Sequence, residues 1–420
     1  MQSNNCSKKF SLIAAFAIIL IGEFAEHGRT GILLSIAFLL TAVYSYLCEE
    51  SQLFYFMLLL VAPNRILTLG PISAPSIVML VGVFRMVLQK RFRIKPRFLF
   101  LSFLLLSVSL LTYINGASQL FSSAKIIIVL CFIYMYTETK HISQTYIELT
   151  EACATGCILT SLLTIAINPS SLYDSFRFSL TGSGGENVLG ILCAIMALNL
   201  IYIVLYSDVN RLKYITYVGV LVIVGLLTGS RSALICLLIG FIGIFFISLF
   251  KRSFKQAFVL LLITFAIVII GYYSMQGDNI ISIYIERFIY RSQKRANNDI
   301  SNGRYELWAQ YIDVFKNNSR ILFFGGMDIK KYGINIVAHN MIIEQLACYG
   351  IIGSIILVSL YLGVLSGIKE LGGAKYRLVS SATVPMIALL IVSFFSHTLL
   401  GIPQTMMLLI CALGIMEEKE

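Results

Sequence analysis

Charge is what this sequence has least of. Only 13% of its 420 residues are Asp, Glu, Lys or Arg, roughly half the share in an ordinary soluble domain, while 58% are hydrophobic. The 32 basic and 21 acidic side chains cannot cover a water-facing globule of this length, so most of the surface must meet lipid. A soluble enzyme or soluble binding module is thereby excluded. Tryptophan occurs once and histidine four times, and there is neither an Asp-x-Asp string nor a Cys-x-x-Cys pair. The nine cysteines, at 6, 48, 131, 153, 157, 193, 236, 348 and 411, lie mostly in apolar runs and read as small buried hydrophobes. No disulfide framework and no metal site is implied, and no cofactor is expected.

Apolar runs are what the chain has instead. Val188 to Tyr206, Ala257 to Tyr273 and Leu378 to Leu400 each match the ~20 residues that, at ~1.5 Å rise, cross a ~30 Å hydrocarbon core. They lie too deep in the chain to be targeting segments, and they lack the period-2 alternation of barrel strands. An all-α, polytopic transmembrane helical bundle of about 12–14 spans is expected, short runs such as Leu53 to Ala62 leaving the count open between those limits. The lipid bilayer is its first partner, and no nucleic-acid partner is expected.

Basic residues set the topology. Lys8-Lys9, Lys90 to Arg97, Asn210 to Lys213, Lys251 to Lys255 and Lys369 to Arg377 are separated by even numbers of crossings and should share the cytoplasmic side. The acidic tail Glu417 to Glu420 falls with them, and Asn168 to Asn187 and Ser274 to Ala338 fall outside. The chain then divides into N-terminal membrane spans over 1–273, one long external loop over 274–338, and C-terminal spans over 339–420. Loops of that length are usually functional. Within it, Ile280 to Arg291 and Arg304 to Lys316 have helical spacing, and Tyr305, Trp308, Ile312 and Phe315 fall along one face, as for an amphipathic helix lying on the membrane surface. The loop's excess of basic residues suits an anionic ligand, although long loops cross regardless of charge.

Three places join polar groups to the external face. Thr228-Gly229-Ser230-Arg231 is a tight turn between two spans that leaves Arg231 at the outer mouth, either as a fork of donors for phosphate oxygens or as an arginine reaching to lipid headgroups. Arg177 precedes the Gly/Ser stretch Phe178 to Asn187, where backbone N–H groups and a helix N-terminus could cradle an anion or simply form a flexible turn. Ala338-His339-Asn340 starts a span. His339 is placed to take a proton from an acceptor hydroxyl, given an imidazole's ordinary pKa near ~6.5, or to serve as a hydrogen-bonded structural residue. Glu344 is four residues after Asn340, hence on its face, and an ionisable group inside a span is costly enough to suggest function.

The string His339-Asn340, nine residues, Gly350, two residues, Gly353 resembles the HN-x9-GxxG signature of the bacterial O-antigen polymerase and O-antigen ligase superfamily. Thr228 to Arg231 resembles that superfamily's arginine-bearing turn between two middle spans. Gly303-Arg304-Tyr305-Glu306-Leu307-Trp308 is similar to the arginine-containing start of its large periplasmic loop helix, and Arg177 to a more variable element upstream. The match covers residues 177 to 353 and says little about the first ~150, which match only as generic spans. The resemblance implies a metal-independent, GT-C-like glycosyltransferase in the bacterial inner membrane, its site facing the periplasm.

The donor so implied is a glycan on undecaprenyl diphosphate; the acceptor is another lipid-linked glycan for a polymerase, or lipid A core for a ligase. A chain-length regulator is a further partner that the resemblance leaves open. By position Arg231 and Arg304 would hold the diphosphate, His339 would orient or deprotonate the acceptor, and Arg177, Asn340 and Glu344 would contact substrate. The polymerase is the first reading and the ligase the second. A lipid-linked oligosaccharide flippase is the rival from another class, which two similar halves and short loops on both sides would favour; neither is apparent.

Overall fold

The computed structural model describes residues 2–28, 30–70, 72–89, 95–114, 119–138, 145–172, 178–180, 186–250, 253–261, 286, 303–372, 382–395 and 401–417. Arg177, the Gly/Ser stretch 181–185, the segment Ile280 to Arg291 apart from Glu286, and most of the run Ala257 to Tyr273 lie outside them. In chain order the helices are α1 (Gln2–Gly28), α2 (Gly31–Leu47), α3 (Glu50–Leu59), α4 (Ala74–Leu88), α5 (Pro96–Ile114), α6 (Gln119–Glu138), α7 (Thr145–Ile167), α8 (Glu186–Tyr206), α9 (Arg211–Leu227) and α10 (Arg231–Phe250). Residues 254–261 are helical as well. There follow α11 (Arg304–Asn317), α12 (Ser319–Phe324), α13 (Met341–Gly372), α14 (Thr383–Ser393) and α15 (Ile402–Glu417). Among the described residues the only strands are Thr68–Leu69 and Ile72–Ser73, a two-residue hairpin.

The chain is an all-α, multi-pass membrane protein. Five helices (the apolar part of α1, α7, α8, α10 and the first part of α13) are long and apolar enough to cross a bilayer, and six shorter apolar helices stand beside them. α8 is apolar all round and is buried from Leu189 to Val204, as a helix at the centre of a bundle must be. The outer helices instead leave large apolar side chains uncovered, among them Ile32, Leu39, Phe103, Phe250 and Leu362. Such a belt is unfavourable in water and neutral in lipid. The expected span Leu378 to Leu400 is helical over Thr383–Ser393 among the described residues, ending before Phe394.

Charges mark one end of the bundle. Lys8 of α1 pairs with Glu148 of α7 at 2.5 Å, and Lys213 in the first turn of α9 pairs with Glu151 of α7, also at 2.5 Å. Tyr214 donates to the same Glu151 carboxylate at 2.8 Å. The basic residues near the start of α1 and at the start of α9, which the charge pattern assigns to one side of the membrane, are thus tied to one end.

One span is broken. α3 rises only ten residues, about 15 Å at ~1.5 Å per residue, and is followed by a 3-10 turn over Ala62–Asn64 and then the hairpin. Leu53 to Val61 are all buried. Non-helical backbone at membrane depth is tolerated where protein covers it or where it lines a cavity, and here it does the latter, as described next.

Candidate functional site

Turn chemistry explains Thr228 to Arg231. Gly229 takes φ 58°, a left-handed conformation that glycine adopts without cost. Thr228 Oγ1 donates to Gly225 O at 2.6 Å and accepts from Ser230 N at 3.3 Å; Ser230 Oγ accepts from Ala233 N at 3.2 Å and so caps α10. Thr228 and Ser230 are buried with their polar atoms used on backbone, whereas Arg231, the first residue of α10, is half-buried. A cation at a helix N-terminus opposes the helix dipole by about 0.3–1 kcal/mol, so Arg231 does not stand there to stabilise α10. The turn sits against the first turn of α8: a Cβ at Gly190 would lie 2.5 Å from Thr228 Oγ1 and 2.9 Å from Ser230 Cβ. Phe178 N–H, next to Arg177 in sequence, donates to Leu227 O at 2.9 Å, tying that upstream segment to the same turn.

At the start of α13 the polar residues hold one another. Asn340 Oδ1 accepts from Ile342 N at 3.0 Å and from Ile343 N at 3.1 Å, which makes it the N-cap. His339 has φ 50°, a conformation that costs a non-glycine residue about 1–3 kcal/mol. Glu344 Oε1 offsets this by accepting the His339 backbone N–H at 2.7 Å, a charge-assisted bond. Glu344 therefore fixes the backbone that carries the imidazole, a role the spacing alone did not indicate. His339 itself is half-buried.

Arg304 opens α11 behind Gly303, which has φ 76°, and its Nη1 donates to Phe395 O just beyond α14 at 2.5 Å. One turn on, Trp308 Nε1 donates to Ala338 O at 2.8 Å, so the helix that begins with Arg304 is pinned to the residue before His339. The expected apolar stripe is rotated. Trp308 and Phe315 do pack inward, together with Leu307 and Tyr311, but Tyr305 and Ile312 are exposed. The helix faces a small core shared with Met327, Ile334 and the first turns of α13, and that core decides its buried face. Tyr311 donates to Ile336 O at 3.2 Å; burial, with the Glu344 carboxylate nearby, pushes its phenol up to about 12, so it remains a neutral donor.

The first glycine of the GxxG string is a break in α13. Gly350 has φ 64° and ψ −174°, a region essentially confined to glycine, and the break frees carbonyls of the preceding turn. Gly326 N–H donates to Cys348 O at 3.0 Å and Met327 N–H to Ala347 O at 2.9 Å. A Cβ on Gly350 would stand 2.4 Å from the Phe323 backbone. The signature thus begins a helix at Asn340 and interrupts it at Gly350 to dock the loop. Gly350→Ala is expected to undock it, lowering thermal stability by about 1–3 kcal/mol and exposing residues 303–338 to protease faster than in the wild type.

Beneath the docked loop lies a cavity of about 620 Å³. The first turns of α6, α8, α13 and α15 and the break after α3 form its wall, and Tyr311, Met327 and Val337 close it from the loop side. Glu344 lines it; Leu189 lines it while its neighbour Gly190 touches the arginine-bearing turn. Sequence reasoning missed Arg65 and Lys125, which also line it. A lone cation within an otherwise apolar stretch was the available signal.

A family model described as O-antigen ligase matches residues 216–358, from α9 through the break in α13, taking in Arg231, Arg304, His339, Asn340, Glu344 and both signature glycines. Over this segment, about a third of the chain, the sequence matches the O-antigen polymerase and ligase superfamily. No curated protein and no solved structure matches the chain. The match supports a polymerase- or ligase-type, membrane glycan-processing function, and the family suggests lipid-linked glycans as the class of substrate. The matched residues of this superfamily segment supply the loop side of the cavity and one end of its wall. The N-terminal third, outside the match, supplies α3, its break and α6.

Proposed function

We propose that the chain polymerises undecaprenyl-diphosphate-linked repeat units at the periplasmic face of the bacterial inner membrane, without a metal ion. The observation that carries this reading is His339 held in a left-handed conformation by Glu344, a residue that lines a cavity walled by the N-terminal turns of four helices. Helix N-termini favour an anion, and a diphosphate is the anion a lipid-linked glycan brings. In the reaction the acceptor hydroxyl oxygen attacks the anomeric carbon and its proton passes to the His339 imidazole. The bond from anomeric carbon to diphosphate oxygen breaks, and Arg231 and Arg304 hold the charge the diphosphate gains, an electrostatic role that a guanidinium fork fits. Asn340 and Glu344 act chiefly by shaping this station, and Arg177 is proposed as a further phosphate or sugar contact.

The matched family's description favours a second reading, a ligase that transfers the finished glycan to lipid A core. Purified protein given lipid-linked repeat units separates the two. A ladder of products without added core is expected for the polymerase; a single transfer that requires core would replace that reading with the ligase.

A further inference from the structure

The cavity contains polar groups that the matched segment does not account for. Arg65 follows the break after α3, and Lys125 is in the second turn of α6. Among the described residues neither is in an ion pair or a hydrogen bond. Arg65 is exposed and Lys125 half-buried, so the two leave positive charge at the cavity that no described carboxylate pairs and that suits an anionic ligand. Among the described residues the single acid on the cavity wall, Glu344, is bonded to the His339 N–H. Two further wall residues, Asn64 and Gln404, have buried side-chain oxygens, Oδ1 and Oε1, without a hydrogen-bond partner. Buried acceptors of that kind call for donors.

We propose, resting on the glycan-transfer reading above, that this cavity binds a sugar bearing an anionic group, with Arg65 and Lys125 on its phosphate or carboxylate oxygens and Asn64 and Gln404 accepting from its hydroxyls. A sugar hydroxyl supplies the missing donors and a phosphate or carboxylate the missing charge; an acyl chain or a neutral detergent supplies neither. Tyr311 forms the wall on the loop side and adds an apolar ring face, to which sugar C–H groups pack well. The shared chemistry has two sources: the sugar next to the donor's diphosphate, or an acidic sugar of the acceptor glycan. Either way, residues outside the matched segment select the substrate while the matched segment performs the transfer.

Binding to the full-length protein in nanodiscs tests this without reference to turnover. The probes are undecaprenyl diphosphate carrying one hexose, a free oligosaccharide ending in a uronic acid, and its neutral counterpart. In the double variant Arg65→Gln/Lys125→Gln, affinity for one or both anionic probes is expected to fall at least about tenfold while that for the neutral probe changes little. A loss confined to the first probe assigns the cavity to the donor, and a loss confined to the second assigns it to the acceptor. Lys125→Arg, which keeps the charge, retains binding. Gln404→Leu weakens all three probes. Unchanged affinity for both anionic probes in the double variant, or an equal loss for all three, overturns the proposal. If the wild type binds the anionic probes through these residues yet transfers no glycan, the cavity assignment stands and the transferase reading fails.

Discussion

His339→Ala lowers the rate of glycan transfer by about 10²–10⁴ if the imidazole takes the acceptor proton, the range that general-base groups contribute. The loss falls on kcat, since the donor is held elsewhere, and the variant still folds because Asn340 keeps its cap on α13. Glu344 gives the companion test. Glu344→Gln retains an oxygen for the His339 N–H and is expected to lose far less activity than Glu344→Ala, which leaves that N–H without its acceptor and lets the left-handed residue relax. Equal activity of His339→Ala and wild type in a purified assay would remove the histidine from the reaction.

Arg231→Ala is the second large effect, about 10²–10³ in rate, as for removal of one donor from a site that stabilises developing charge. Thr228 and Ser230 hold the turn through their own bonds to backbone, which the substitution leaves in place. Removing a cation from the first position of α10 should leave stability unchanged or slightly raised. Arg231→Lys keeps the charge but loses the two-pronged geometry, so it should recover only part of the rate. A variant whose melting temperature falls along with its rate would point to a structural arginine.

Much of this arrangement was legible in residue types with narrow physical uses. Gly229 and Ser230 in a short polar stretch between apolar runs spell a turn and a helix cap, and both are found. Asn340 before an apolar run spells a helix start, and Gly303 before Arg304 marks another. The bundle itself follows from hydropathy, because lipid leaves the backbone little choice. What stayed hidden depends on tertiary placement. Burial in protein and burial in lipid select the same apolar side chains, so α3 reads as a short span and not as a helix that ends at a cavity. The buried face of α11 is set by the core it shares with α13, which turned the stripe away from Tyr305 and Ile312. Gly350 is visible as part of a signature, yet its reason, the close approach of the Phe323 to Gly326 backbone, lies in a contact between segments that no local pattern records. Arg65 and Lys125 come to line one cavity only through the fold.

The central claim is that the chain breaks the bond between glycan and lipid diphosphate and joins the glycan to an acceptor. The most direct measurement follows the lipid: purified protein in sealed vesicles is given undecaprenyl-diphosphate-linked repeat units labelled in both lipid and sugar. One undecaprenyl diphosphate released for each new glycosidic bond, with release slowed about 10²–10³-fold in Arg231→Ala, is the predicted result. Intact donor that crosses the vesicle membrane without any free undecaprenyl diphosphate would contradict it and identify a transporter.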